Sequence, residues 1–289
     1  MKTVVPVYIN RAASVDASSL GNLNLSAIVR SPNALRRMCR LVRMGVAAGM
    51  LCLDDIPADG IDAVVTATSL GGLEDTGKFL SEMTERNECG LNPTPFMRSV
   101  FNTVGSQIAL LKGIKVYNMT YVHRGLSFES ALFDAVLQIA EGKRNVLAGA
   151  FDEITREAHV LKERAGLFRR GEKEGEGACF FLLGNRPDSG SSVELAGLDV
   201  RRGPLDEKQR MEFASDFLSG FGLGLSSVEI FNGAEVKKIC GEYGTASARV
   251  LYEAAAFAGS CSAPCLLVCN SFRNMSHSLV LLKKTGAGI

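Results

Sequence analysis

The sequence predicts an α/β protein with largely parallel sheets, built from two similar halves. Strand-like and helix-like segments alternate along the chain, as they do in parallel α/β folds. A helix–strand–loop–strand series near residues 127–184 recurs near residues 245–284. The chain has 289 residues, and 46% of them are hydrophobic, which is enough for a large buried core.

The predicted strands are short apolar runs, often rich in β-branched residues, that end at turn-forming residues. Residues 61–69 (IDAVVTATS) are typical, because Gly71 and Gly72 follow them closely. The pattern predicts strands at 3–9, 61–69, 114–121, 145–150, 177–184, 192–200, 227–233, 264–272 and 277–284.

The predicted helices are longer segments with apolar residues at helical spacing. The strongest is 127–141, for which Ser127 is the expected N-cap and Ser130 the second choice. Gly113 is expected to end another helix. The pattern predicts helices at 33–53, 73–85, 96–112, 127–141, 205–219 and 245–258.

Composition and motifs argue against several classes of function. The net charge of +1 favours neither nucleic acid nor an anionic membrane as a partner. No apolar run reaches the roughly 18 residues that a membrane span needs. The first residues lack the apolar core of a signal peptide, so we expect a cytoplasmic protein. The charged stretch 162–176 is the best candidate for an exposed connection.

The eight cysteines do not predict a disulfide framework or a metal site. Cys261, Cys265 and Cys269 recur every four residues, but no histidine spacing completes a zinc pattern. We interpret the cysteines as small buried hydrophobic residues. The chain has no P-loop and no dinucleotide-binding glycine motif, so we expect neither a metal nor a cofactor.

Six segments, taken in order, resemble a β-ketoacyl synthase of the thiolase superfamily. They are 38–49 (MCRLVRMGVAAG), 66–80 (TATSLGGLEDTGKFL), 92–120, 142–155 (GKRNVLAGAFDEIT), 175–183 (GEGACFFLL) and 269–284 (CNSFRNMSHSLVLLKK). The resemblance covers nearly the whole chain. It implies a thiolase-like αβαβα layered fold made of two pseudo-repeated halves, usually in a dimer. The halves would be residues 1–186 and a shortened C-terminal half at 187–289.

The residues that perform the family's chemistry are missing from this chain. In β-ketoacyl synthases, a cysteine at the start of a buried helix takes up the acyl group, and two histidines help to decarboxylate the extender unit. An ungapped alignment from Asn118 to Gly142 places Gly125 at the cysteine position. Asn232 and Glu242 stand where the two histidines are expected. A carboxylate at Glu242 would repel a developing enolate.

The remaining candidates are residues expected to line a vestigial pocket. In the closing loop, Asn270, Ser271 and Phe272 match the family, whereas the stretch 273–276, which includes Asn274, replaces its glycines. These glycines normally let backbone N–H groups approach the substrate carbonyl. His277 follows in the same loop. His123 and Ser127 flank Gly125, and a hydrolase assisted by one of these histidines is a further alternative.

The resemblance therefore implies a non-condensing partner in a type II fatty acid or polyketide pathway, including aryl polyene pathways. Such a cysteine-less chain length factor dimerises with an active ketosynthase, and an acyl carrier protein is a further expected partner. Phe96, Phe101, Val104 and Ile108 are candidates for this interface, with core packing as an equal alternative. An active 3-oxoacyl-acyl-carrier-protein synthase and a non-catalytic acyl-binding homodimer are the other hypotheses.

Overall fold

A computed structural model describes residues 1–168, 172–188 and 192–285. The strands are β1 (Tyr8–Val15), β2 (Ala63–Ala67), β3 (Tyr117–Tyr121), β4 (Asn145–Asp152), β5 (Gly177–Gly184), β6 (Val193–Arg202), β7 (Glu229–Asn232), β8 (Cys265–Phe272) and β9 (Ser276–Lys284). The helices are α1 (Ala17–Leu20), α2 (Leu25–Val29), α3 (Pro32–Arg37), α4 (Arg40–Leu53), α5 (Leu73–Glu85), α6 (Pro93–Ser99), α7 (Thr103–Lys112), α8 (Ser127–Ala140), α9 (Arg156–Arg164), α10 (Glu207–Ser219), α11 (Gly233–Cys240) and α12 (Ala246–Ser260).

The strands form one continuous sheet in the order β3-β2-β4-β5-β1-β6-β9-β8-β7. In the first half, β2 and β4 are parallel, and β5 returns antiparallel to β4 and pairs with β1. In the second half, β7 and β8 are parallel, and β9 returns antiparallel to β8 and pairs with β6. Among the described residues, β3 has no counterpart in the second half. The division at residue 186 stays a prediction, which this recurrence favours.

Five layers confirm the predicted αβαβα architecture. The central layer is α8 and α12, whose apolar side chains form one core with residues of both halves of the sheet. A second core lies on the outer face of the first half, under α4 and α7 with contributions from α2 and α3. A third, smaller core lies on the outer face of the second half, under α10. In the described part of the chain, no helix is long and apolar enough to cross a membrane.

The prediction of largely parallel sheets is wrong, because the pairs that involve β1, β5, β6 and β9 are antiparallel. The chain returns from β4 to β5 without a crossover. Helix α9, which lies between them, buries no residue and does not serve as a crossover helix. A tight turn joins β8 directly to β9. Antiparallel neighbours can follow such short returns, whereas parallel neighbours need a crossover.

Three predicted elements are divided in the structure. The segment 96–112 contains α6 and α7, because Val100 is extended and interrupts the helix. The break places the Phe101 ring against Gly71, where an added Cβ would lie 2.5 Å from the ring. Residues 33–53 contain α3 and α4, separated at the extended residue Met38. The predicted strand 227–233 becomes the short strand β7, and Gly233 already begins α11.

The stretch 162–176 is only partly an exposed connection, and its residues 169–171 lie outside the described residues. Glu174 is buried, forms an ion pair with Lys162 and lies 2.5 Å from His159 Nδ1. Glu176 forms an ion pair with Arg40. The acidic side chains of this stretch therefore hold it against the first half of the protein.

Candidate functional site

The space in front of Gly125 is filled by the ring of Phe272. Gly125 lies in a buried 3₁₀ turn that leads from β3 into α8, directly after Arg124, which has a positive φ of 53°. A Cβ added to Gly125 would lie 2.3 Å from Phe272 Cδ1 and 2.7 Å from Phe272 Cγ. Because real Cβ atoms do not approach other atoms so closely, any side chain at residue 125 requires the ring to move.

Ser127 closes the turn around Gly125, and its predicted role as an N-cap is wrong. Its hydroxyl accepts a hydrogen bond from His123 N–H at 2.8 Å and donates one to the Arg124 carbonyl at 2.8 Å. Helix α8 begins at Ser127 itself, with Leu126 in the N-cap position. The His123 ring instead contacts Ser130, with 2.8 Å between Nδ1 and Oγ. His123 and Ser127 thus form no side-chain pair of the kind that a hydrolase needs.

The closing loop between β8 and β9 has three residues and contains a β-turn. Met275 N–H donates to the Phe272 carbonyl at 2.9 Å. Arg273 and Asn274 between them have φ values of 51° and 54°, as in a type I′ turn. Asn274 Oδ1 accepts hydrogen bonds from Leu205 N–H and from Arg210 at 2.7 Å. The turn therefore binds to the start of α10 and keeps Phe272 on Gly125.

Asn232 and Glu242 lie at opposite ends of α11 and line the same cavity. Asn232 caps the helix, because its Oδ1 accepts a hydrogen bond from Ala234 N–H at 3.0 Å. Glu242 follows the end of the helix and forms an ion pair with Lys237 at 3.1 Å. Burial raises the pKa of the Glu242 carboxyl, and the Lys237 ammonium opposes this shift.

The sequence analysis missed Lys237, which is buried with 8% of its surface exposed. Its Nζ also donates to the Ser271 carbonyl at 2.6 Å, which ties α11 to β8. The sequence contains a weak signal for this role, because Lys237 lies one helical turn before the end of α11 and faces the buried side of an amphipathic helix.

The cavity has a volume of about 770 Å³ and lies between α10, α11 and strands β7 to β9. Its apolar wall includes Met211, Phe213, Leu225, Ile230 and Leu279. Its polar residues include Asn232, Lys237, Glu242, Asn270 and His277. The His277 side chain is buried, and its Nε2 atom has no hydrogen-bond partner. Burial and the positive charge of Arg210 lower the pKa of His277.

The comparisons with known proteins agree with this architecture. The family described as the N-terminal domain of β-ketoacyl synthases matches residues 23–165. Over these residues the chain is similar to β-ketoacyl synthases, and we call it β-ketoacyl synthase-like. A comparison with curated protein sequences finds no significant match.

Three solved structures have the same fold as this β-ketoacyl synthase-like chain. The ishigamide ketosynthase/chain length factor has a TM-score of 0.77 and 16% identity, with 97% of this chain and 100% of that chain covered. A type II polyketide synthase acyl carrier protein in complex with its ketosynthase has a TM-score of 0.75 and 13% identity, with 96% and 99% covered. A β-ketoacyl synthase from Burkholderia phymatum STM815 has a TM-score of 0.73 and 15% identity, with 98% and 100% covered.

Asp152, which ends β4, joins the two halves of this β-ketoacyl synthase-like chain. Its Oδ1 accepts hydrogen bonds from Thr68 Oγ1 at 2.9 Å and Ser69 N–H at 2.8 Å. Its Oδ2 accepts from Thr245 N–H at 3.0 Å and Thr245 Oγ1 at 2.8 Å. Burial raises the pKa of the Asp152 carboxyl, and the four hydrogen bonds oppose this shift without reversing it. The carboxylate thereby fixes the start of α12 against the end of β2.

Glu129 on α8 is a buried carboxyl with far fewer partners. Its Oε1 accepts a hydrogen bond from Ser278 Oγ at 2.7 Å, whereas its Oε2 has no partner. Ser247 Oγ and Asn270 Oδ1 also have no partner, and all four residues line one small enclosed cavity. Burial raises the pKa of Glu129. The carboxylic acid form therefore persists above its usual pH range.

Proposed function

We propose that this chain is a non-condensing subunit of the chain-length-factor type, which pairs with an active ketosynthase in a type II fatty acid or polyketide pathway. The single observation that carries the proposal is the contact between Gly125 and Phe272. Where an acyl group would be attached, the backbone has no side chain, and an aromatic ring fills the space.

The high thiol pKa values of two cysteines support the same conclusion. Cys269 lines the large cavity, but burial raises the pKa of its thiol to about 11. Burial also raises the pKa of Cys179 on β5 to about 12. The thiolate is the nucleophilic form, and a thiol with such a pKa is almost fully protonated at neutral pH. An active condensing enzyme, which was the main alternative, therefore lacks a suitable nucleophile at these two positions.

The surface of the first half offers a face for the partner subunit. Strand β3 lies at the edge of the sheet, so one side of its backbone is available for pairing. Apolar side chains are exposed on β3 and on helix α6, including Met119 at 42%, Met97 at 59% and Phe96 at 56%. Exposed apolar groups of this kind are typical of protein interfaces.

The four interface candidates from the sequence divide into two groups. Phe96 and Phe101 are exposed and remain candidates for the contact with a ketosynthase. Val104 and Ile108 are fully buried under α4, where Gly45 and Gly49 approach their side chains closely. These two residues belong to the core of the subunit.

The test is co-expression with ketosynthases encoded near this chain, followed by affinity purification and product analysis. We expect a stable complex, and we expect the ketosynthase to lose its product without this chain. Met97→Asp and Met119→Asp should abolish co-purification, because they place charges in the apolar face. The matched control is Ile239→Asp on α11, which changes an exposed apolar residue in the other half.

Two results would contradict the proposal. One is a complex that tolerates both Met97→Asp and Met119→Asp. The other is stoichiometric covalent labelling of the isolated chain by cerulenin or by a labelled acyl carrier protein, which would identify a working nucleophile.

A second candidate function is acyl binding without catalysis, and the large cavity favours it. Its volume of about 770 Å³ falls in the range of small-molecule sites. Size-exclusion chromatography with light scattering separates the two candidates. A ligand-binding homodimer that forms no complex with any neighbouring ketosynthase supports the second, and a heterodimer supports the first.

A further inference from the structure

The large cavity exists because the outer face of the second half is thinly covered. Several helices cover the outer face of the first half, whereas α10 is the main cover of the second. Between α10 and β7, apolar side chains remain accessible, with Ile230 52% exposed and Met211 55% exposed. The cavity is thus open to solvent between α10 and β7, where apolar groups line it.

The inner end of the cavity is polar but contains a charge pair. Lys237 Nζ donates a hydrogen bond to the Ser271 carbonyl and forms an ion pair with Glu242. An ammonium group has three hydrogens, so Lys237 can also donate to a ligand. Glu242 Oε1 at the same end is buried without a hydrogen-bond partner and is an acceptor. The end therefore presents both a donor and an acceptor, with the positive charge of Lys237 already neutralised by Glu242.

We propose that this cavity binds an uncharged molecule with an aliphatic body and an amide or hydroxyl head, and that Glu242 excludes carboxylates. An amide or hydroxyl group accepts from Lys237 and donates to Glu242 without disturbing the ion pair. A carboxylate would have to approach Lys237 beside Glu242, and two carboxylates that share one buried ammonium repel each other. Glu242 is then the residue that determines specificity.

The test compares octanamide with octanoate, two probes with equal chains and different heads, by isothermal titration calorimetry on the isolated chain. We expect native protein to bind octanamide at least tenfold more tightly. Glu242→Gln removes one charge with little change in shape, so octanoate affinity should rise at least tenfold while octanamide affinity stays within threefold. Adding Lys237→Met to Glu242→Gln should abolish that gain.

Two control variants test whether the effect is specific to Glu242 and whether the ligand binds in this cavity. Glu207→Gln, at an exposed position of the cavity lining, should leave the ratio of the two affinities unchanged. Ile230→Trp, at the mouth, should weaken octanamide binding at least fivefold because it narrows the entrance. Native protein should bind octan-1-ol with an affinity similar to that for octanamide. This measurement uses no variant, so it does not depend on the folding of a substituted chain.

Native protein that prefers octanoate, that binds neither probe, or that binds both equally would overturn the proposal. A ratio unchanged by Glu242→Gln would also overturn it. Because the test uses the chain without a ketosynthase, it can fail while the subunit proposal holds, and the reverse is equally true.

Discussion

The contact between Gly125 and Phe272 makes a quantitative prediction for Gly125→Ala. The added methyl group would lie 2.3 Å from the Phe272 ring, so the ring must shift. Overpacking of this kind costs about 1–3 kcal/mol. Gly125 has no positive φ, so alanine fits the backbone there. Alanine also lowers the conformational entropy of the unfolded chain, which stabilises the folded protein by roughly 0.4–1 kcal/mol. The expected net loss in the free energy of unfolding is about 1–2 kcal/mol.

The double mutant isolates the cause of this loss. In a Phe272→Ala background the clash is absent, so Gly125→Ala should be neutral or stabilise by up to about 0.5 kcal/mol. The two changes should therefore couple by at least about 1 kcal/mol. Urea unfolding followed by far-ultraviolet circular dichroism is the suitable assay, since the chain contains no tryptophan.

Gly77→Ala is the matched control, because Gly77 lies within α5 and has no atom within 4 Å of an added Cβ. It should stabilise the protein by about 0.5–1 kcal/mol. The reasoning is refuted if Gly125→Ala is as stable as the native protein, or if Phe272→Ala does not relieve its cost.

Two further predictions concern buried carboxyls. The pKa of Glu129 in the folded protein lies above its usual value of 4.5, so the folded protein binds this proton more strongly than the unfolded chain does. The free energy of unfolding therefore falls as pH rises from about 4.5 toward the folded-state pKa. Glu129→Gln cannot ionise and should flatten this part of a plot of melting temperature against pH; an unchanged slope would contradict the assignment. Asp152→Asn replaces an acceptor by a donor that faces existing donors and should cost roughly 3 kcal/mol in urea unfolding. The exposed Asp216→Asn on α10 should cost almost nothing, and equal losses for the two variants would refute the role of Asp152.

The sequence predicts most helices and strands of this fold well, because each depends on a local pattern of apolar residues, whereas the layers follow from the family resemblance. Helix α5 begins and ends where the periodicity of 73–85 does. Gly113, with a φ of 76°, ends α7 as expected from its freedom to adopt a left-handed conformation. Such local signals require no knowledge of distant contacts.

The errors occur where distant contacts decide the local structure. The break between α6 and α7 depends on the approach of Phe101 to Gly71, thirty residues earlier in the chain. The antiparallel pairing of β5 with β1 joins two segments that lie far apart in the sequence. A local pattern of apolar residues cannot predict which distant strands pair.

The sequence predicts positions for the candidate site but not its contacts. The alignment proposes Gly125, Asn232 and Glu242, whereas the Phe272 ring that covers Gly125 lies almost 150 residues later in the chain. The partner of Glu242, Lys237, and the four donors to Asp152 are likewise products of tertiary structure. A charged residue on a helix is usually solvated, so its burial is visible only after folding.

The central position of β1 has a consequence for how the chain acquires its structure. This strand is made before its neighbours β5 and β6, which lie far along the polypeptide. The Asn10 side chain, for example, contacts the Arg186 carbonyl 176 residues later. Such distant pairing slows folding, since a long loop must close before any contact forms. During synthesis, β1 has no neighbouring strand until β5 is made, and a chaperone that shields its unpaired backbone would raise the yield of native protein.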